Sequence, residues 1–387
     1  MKKKFDYRNL ILIVVSLAFT LALLEGGLRV LFSSDQSFLA EQYQDREFLT
    51  SNKYWGVWHF PDNRVEHRRD CFEAVYKTNQ YGMKGPDFDT ASGKPRIAFL
   101  GDSYIEGHGK SNHRILSFYF DSLTQSSHDI LNFGTSGGFG TVDEVVLYEN
   151  FARFFKPDLT ILFFLNYNDL YDNLKSQGKG LIDERGEFTH QKSVSLSETM
   201  KEVRSTGEPG VAFSGISGLY VFSLAGRGVR SLTNFFQYVV NIKFDFRTAI
   251  AKVYTEKGSE RIRKGYFLVE KSLQRLDSLT KADSSRLLVV NFADPFQTDE
   301  NWLRFNEKKL GEALIPHLPN RKISEICKKN DIAYYDMYPE TVKTIREKNM
   351  EYPYFFHSCD RHLSAEGNEY MASLLYKYLK RKKYISW

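Results

Sequence analysis

The stretch Arg96-Ile97-Ala98-Phe99-Leu100-Gly101-Asp102-Ser103-Tyr104 leaves this chain few folds to choose from. Ile97 to Leu100 is a continuous apolar run between Pro95 and Gly101, the pattern of a strand covered on both faces of a parallel sheet. Residues just beyond the carboxyl end of such a strand sit where α/β sheets bind ligands. Gly101 permits a sharp turn, and Asp102 and Ser103 can cap a following helix. A cap alone accounts for Ser103, so its chemistry has to be judged from the rest of the chain.

From Pro95 onward apolar runs alternate with helical patterns, which predicts an α/β fold with a parallel sheet. The expected strands are Ile97 to Leu100, Ile130 to Phe133, Leu159 to Leu165, Leu287 to Phe292 and Ile332 to Asp336. Helices are expected over Val142 to Phe155, Gly265 to Leu279 and Ile323 to Lys329, with a last one after Ser364 as N-cap. Its apolar stripe is Tyr370, Met371, Leu374, Leu375, Tyr378 and Leu379. Residues 174–262 break the rhythm with a hairpin pattern at Leu181 to Phe188, a Gly/Ser-rich stretch and an aromatic run from Leu219 to Ile242. Such a segment reads as an insertion that shapes a pocket or meets a membrane or partner.

The N-terminus has its own character. Lys2, Lys3, Lys4 and Arg8 precede an apolar run that starts at Leu10, passes Glu25 and Arg29 and continues to Phe32. Residues 9–32 are therefore expected to cross a membrane as an uncleaved signal anchor, because neither a small-x-small cleavage pattern nor a lipid-accepting cysteine follows. Glu25 and Arg29 can pair on one helical face. Residues 1–8 then form a cytoplasmic tail, and all that follows is exported. Residues 33–94 read as a juxtamembrane linker, an aromatic cluster and a pair of strands over Val65 to Lys77, and 95–387 as the main domain. The net charge of +5 comes from 53 basic and 48 acidic residues spread along the chain, which argues against a nucleic-acid partner. Lys377 and Lys380 to Lys383 read as a solvated helix end. Cys71, Cys327 and Cys359 lack metal-ligand spacing; two of them can pair in an oxidising compartment, and the sequence leaves open which. His59 and His67 read as surface or packing residues.

Four separated segments carry the parts a serine hydrolase needs: a nucleophile, a base, a group to orient the base, and oxyanion donors. They are Gly101-Asp102-Ser103, the glycine-rich Asn132 to Thr141, Asn166-Tyr167-Asn168-Asp169, and Cys359-Asp360-Arg361-His362-Leu363-Ser364. In that order they resemble the blocks of the SGNH, or GDSL-like, hydrolase superfamily: Gly-Asp-Ser, a glycine after the second strand, Gly-x-Asn-Asp, and a C-terminal Asp-x-x-His. Thr78 to Pro86 also resembles the Thr-Asn-x-x-Gly-x-x-Gly lead-in of a membrane-anchored branch.

The resemblance implies a three-layer α/β/α sandwich of flavodoxin-like type, preceded here by one transmembrane helix. It implies Ser103 as nucleophile, His362 as base, Asp360 as its orienting partner, and an oxyanion hole of the Ser103 and Gly137 backbone N–H groups with the Asn168 side chain. Tyr104, Gly138 and Tyr167 are expected to meet substrate. No cofactor or metal is implied. The expected activity is ester hydrolysis on a small molecule, lipid or glycan through an acyl-enzyme, with an O-acetyl group on an envelope glycan favoured from location. An O-acyltransferase using the same site and a non-catalytic glycan-binding scaffold are the alternatives. Two departures stand out: Asn166 replaces the usual glycine and is expected to narrow the pocket, and Asp360-Arg361-His362 is one residue shorter than the family's block. His357 is the rival base. Asp102, Asp169 and Asp294 are expected to hold loop backbone, Glu106 and His108 to line the pocket, and the dipole of the helix after Ser103 to favour an oxyanion.

Overall fold

The computed structural model describes residues 7–31, 48–69, 71–189, 195–205 and 246–385. Helix α1 (Tyr7–Leu31) comes first, with the apolar side chains from Ile11 to Leu24 exposed, and its Ile11–Leu28 segment is long and apolar enough to cross a membrane. Two antiparallel hairpins follow, β1 (Leu49–Asn52) with β2 (Gly56–His59) and β3 (Arg64–Arg69) with β4 (Phe72–Lys77). The central sheet is parallel, built from β5 (Arg96–Gly101), β6 (Asp129–Gly134), β7 (Leu159–Phe164), β8 (Arg286–Asn291) and β9 (Ala333–Asp336), in the order β6-β5-β7-β8-β9. Each strand lies within a residue of its expected bounds, since a strand buried on both faces writes a continuous apolar run.

The twofold period of a strand sorts these runs into two cores, one on each face of the sheet. Ala98, Leu100, Leu131, Phe133, Leu162, Phe164 and Val289 belong to one core. Helices α4 (Thr141–Asn150) and α8 (Glu260–Ala282) cover it. Ile97, Phe99, Ile161, Phe163, Leu288 and Val290 face the other core, with α3 (Leu116–Leu123) and α13 (Ala365–Arg381). The result is a three-layer α/β/α sandwich. Between α3 and α13 in the chain run α5 (Asp169–Gly178), α6 (Leu196–Ser205), α7 (Phe246–Ala251), α9 (Pro295–Thr298), α10 (Glu300–Leu310), α11 (Leu318–Lys329) and α12 (Tyr338–Glu347), with the one-turn α2 (Ser103–Glu106) directly after β5.

Several expectations need correcting. The Val142 to Phe155 helix ends at Asn150, and Ala152–Phe155 is a separate turn of tighter helix. The helix expected at Gly265 to Leu279 runs from Glu260 to Ala282, started by the Ser259 hydroxyl, which accepts from the Ile262 N–H. Leu49–Asn52, expected within the linker, is a strand. Asn52 Oδ1 accepts from the Tyr54 N–H at 2.8 Å and fixes the turn into β2. That turn delivers Trp55 and Trp58 into the first core, where Trp55 stacks on Phe151 at 5.5 Å between ring centroids. The lead-in segment and the sheet thus share one core. The aromatic run from Leu219 to Ile242 and the chain from Ser34 to Glu47 lie outside the described residues. Within the insertion, Ile182 bridges Phe188, consistent with the expected hairpin.

Candidate active site

Parallel register places the four sequence blocks at one end of the sheet. Gly101 pairs with Gly134, and Leu100 with Leu162, so the turns after β5, β6 and β7 emerge side by side. Glycine at 134 is a steric requirement, because a Cβ there would lie 2.1 Å from the Glu106 backbone nitrogen. The close approach seats α2 against the strand end. α2 is only four residues long, capped by Asp102 and stopped at Gly107. A single turn carries little macrodipole, so the dipole expected to favour an oxyanion here is largely missing.

Ser103 Oγ lies 2.9 Å from His362 Nε2, across 259 positions of sequence. His362 Nδ1 is 3.3 Å from Asp360 Oδ2, and the other carboxylate oxygen accepts from the His362 backbone N–H at 3.1 Å. The shortened block still sets Asp360 beside His362 because Arg361, at φ 66°, turns the chain back between the two. Burial pushes the Asp360 carboxyl upward, but the bonds and charge of His362 outweigh it and hold it well below the usual carboxylate range. Asp360 stays ionised beside the His362 ring. Arg69 Nη1 and His108 Nε2 approach the same oxygen at 3.6 and 3.8 Å.

His357 does not bond Ser103. Its backbone N–H donates to the His362 carbonyl at 2.7 Å, and its ring packs on Phe72. Burial, then the charge of Lys110, lowers its pKa to about 4. An unfolded histidine titrates near ~6.5, so as pH falls from there toward 4 the unfolded chain is protonated first and stability is lost. The loss between pH 7 and pH 4.5, read from urea midpoints, is expected to be smaller in His357→Phe than in wild type. An equal loss would refute a neutral buried His357.

Asn168 stands at the start of α5, and its Nδ2 donates to Asp102 Oδ2 at 2.6 Å. The second Asp102 oxygen accepts from the Tyr104 N–H at 2.9 Å, so one carboxylate ties the serine turn to the asparagine turn. Burial raises Asp102 to about 6 against the pull of these two bonds. Asp169 Oδ2 accepts from the Leu165 N–H at 2.8 Å, and Asp294 caps α9 while accepting from the Tyr254 hydroxyl. Gly137, at φ 98°, and Gly138, at φ 77°, adopt left-handed backbone in the loop after β6. Gly137 is exposed at the loop tip and Gly138 lies over Asp172 and Lys175.

Other expected pocket residues fall elsewhere. Tyr104 is 1% exposed, with its hydroxyl donating to the Arg361 carbonyl and its ring against His362, so it supports the His362 ring instead of facing a pocket. Tyr167 is half-buried against Phe296. Asn166 does not narrow the pocket, because its amide turns into a buried cluster: Nδ2 donates to Asn320 Oδ1 at 3.0 Å, and Oδ1 accepts from Asn291 at 3.1 Å. Glu106 is fully buried rather than pocket-lining; its Oε2 accepts from the Ser136 N–H at 2.6 Å and meets His59 Nε2 at 3.3 Å. Burial opposes its charge, but His59 prevails and Glu106 sits at about 2.

Sequence reasoning missed a buried support beneath these loops. Lys84 is fully buried; Nζ donates to the Gly107 and Lys110 carbonyls at 2.7 Å each and lies 3.4 Å from the centre of the Tyr76 ring. Burial lowers its pKa to about 7. His67, also fully buried, bonds the Tyr76 hydroxyl at 2.8 Å. Cys71 and Cys359 form a disulfide that fastens the β3–β4 turn to the loop one residue before Asp360, leaving Cys327 buried and free.

The parallel sheet of this α/β/α sandwich gathers Ser103, Asn168 and the Asp360–His362 pair at its carboxyl end. No protein-family model matches the sequence, and no curated protein matches it. Solved structures similar to the chain include the acetyl xylan esterase AlAXEase, at 10% identity and TM-score 0.40 over 73% of this chain and 99% of that one. They also include a lipase/acylhydrolase from Enterococcus faecalis, at 13% identity and TM-score 0.37 over 74% and 96%. A catalytic mutant of an acetylxylan esterase from Geobacillus stearothermophilus matches at 13% identity and TM-score 0.37 over 74% and 94%.

Proposed function

We propose that the chain is an exported, membrane-anchored serine esterase that forms an acyl-enzyme on Ser103. The observation that carries the proposal is the 2.9 Å contact between Ser103 Oγ and His362 Nε2, backed by the ionised Asp360. His362 takes the Ser103 proton as Oγ attacks the ester carbonyl carbon. The oxyanion of the tetrahedral intermediate is held by the Ser103 and Gly137 N–H groups and by Asn168 Nδ2, whose second hydrogen is not used by Asp102. His362 then gives its proton to the departing alkoxide, and water, activated by the same base, releases the acid. Asp360 offsets the imidazolium charge throughout.

Two features support export: the apolar α1 with basic residues before it, and the Cys71–Cys359 disulfide, a bond that persists in oxidising compartments. The substrate proposed is an acyl ester of an envelope glycan, from location. A fluorophosphonate probe is expected to label wild type and Ser136→Ala but not Ser103→Ala; unlabelled folded wild type would sink the proposal. Asn168→Ala is expected to lower kcat by about 10²–10³-fold with KM little changed. A loss confined to KM would remove Asn168 from the oxyanion hole. Product analysis with an added oligosaccharide separates hydrolysis from acyl transfer.

A further inference from the structure

Asp360 Oδ2 serves more than the triad. His362 Nδ1 reaches it at 3.3 Å and His108 Nε2 at 3.8 Å, and the His108 and His362 rings lie 4.3 Å apart between centroids. One ligand atom from each of His108, Asp360 and His362 falls within 4.8 Å of the others. Tetrahedral zinc, with bonds of about 2.0–2.2 Å, sets neighbouring ligand atoms roughly 3.3–3.6 Å apart, so small ring rotations bring all three onto one ion. Two imidazoles and a carboxylate, with one position left for water, form a known zinc donor set. The surroundings hold these groups in place. The His67 ring packs edge-on against His108 at 5.0 Å, Lys84 grips the carbonyls on either side of it at Gly107 and Lys110, and the disulfide fastens residue 359. The three side chains are 10%, 7% and 19% exposed, a shielded site with a way in from the active-site side.

We propose that His108 Nε2, Asp360 Oδ2 and His362 Nδ1 form an inhibitory site for a borderline divalent cation such as zinc. The inhibitory role rests on the triad proposed above. In the working triad the neutral His362 ring carries its proton on Nδ1 and accepts from Ser103 at Nε2. A cation on Nδ1 moves that one proton to Nε2, and none is released. Nε2 then donates toward Ser103 and has no lone pair with which to take the serine's proton, while the Asp360 charge is engaged by the metal. Magnesium and calcium, which take six or more oxygen ligands, do not suit two imidazoles. Arg69 opposes the cation: its guanidinium, 40% exposed, competes for Oδ2 from 3.6 Å and has to swing away.

The test uses the detergent-solubilised full-length chain hydrolysing p-nitrophenyl acetate, each variant normalised to its own metal-free rate. Zinc is expected to inhibit wild type reversibly, with recovery on adding EDTA, whereas magnesium at equal concentration does not. His108→Phe, which keeps a ring between His67 and His362, is expected to need at least about tenfold more zinc for half-inhibition. Arg69→Gln is expected to need less zinc than wild type, a shift that mere loosening of the loop does not produce. Equal half-inhibition in wild type and His108→Phe overturns the proposal. Cobalt binding is followed by its visible absorption in Ser103→Ala, where no turnover occurs. A tetrahedral band there that is lost in Ser103→Ala/His108→Phe supports the cation site, and its absence overturns it. A band together with a wild-type chain that never hydrolyses ester supports the cation site and overturns the esterase reading instead.

Discussion

Replacing His362 with alanine is expected to lower kcat by roughly 10⁶-fold, the scale on which removal of the base or the nucleophile disables a serine hydrolase. His357→Ala is expected to stay within a few-fold of wild type. The contrast follows from position, because both imidazoles sit in the same six-residue loop and only His362 reaches Ser103 Oγ. The His362→Ala loss should appear in kcat and kcat/KM alike, since the base acts on the reacting proton rather than on ground-state binding. Titrating kcat of both variants against wild type with an activated acetyl ester settles it. Comparable losses in the two would mean that the loop rearranges and that His362 is not the base.

The second large effect concerns the disulfide. Cys71 and Cys359 are 288 positions apart, so the bond closes a very long loop in the unfolded chain and restricts that ensemble strongly. Cys71→Ser/Cys359→Ser is expected to lose about 2–5 kcal/mol of stability, read as a lower urea midpoint with a steeper slope, because the unfolded chain without its cross-link exposes more surface. The same double variant is expected to lose roughly 10²-fold in kcat, because residue 359 adjoins Asp360 and a small displacement of the base is costly. Removing both cysteines avoids leaving an odd thiol. An unchanged midpoint would show that the hairpin and the catalytic loop are held together by packing alone, and a stability loss without a kinetic one would separate anchoring from catalysis.

What was legible in the sequence follows from what each element has to bury. Leu159–Phe164 is wholly apolar but for Thr160 and wholly buried, so its period and composition announce it. Leu49–Asn52 announces nothing: Leu-Thr-Ser-Asn is a polar two-strand partner whose worth lies in aiming Trp55 and Trp58. Lys84, Glu106 and His59 were illegible for the opposite reason. A single charge in a sequence reads as solvated, and nothing local reveals that these lie fully buried with carbonyl, amide or ionic partners brought from elsewhere. Asn166 reads as a narrower pocket because the motif it resembles has glycine there, yet its amide finds Asn291 and Asn320 from two other elements.

The sequence by itself determined the parallel sheet, the apolar N-terminal helix and the order of the chemical blocks, because hydrophobic period, turn residues and strand-end motifs are local properties. The tertiary structure alone decided which two cysteines join, that Glu106 and Lys84 brace the loops from inside, and where the Asn166 amide turns. Those are distances between segments as many as 288 positions apart, set by how strands register and helices pack, and no local pattern of residues encodes them.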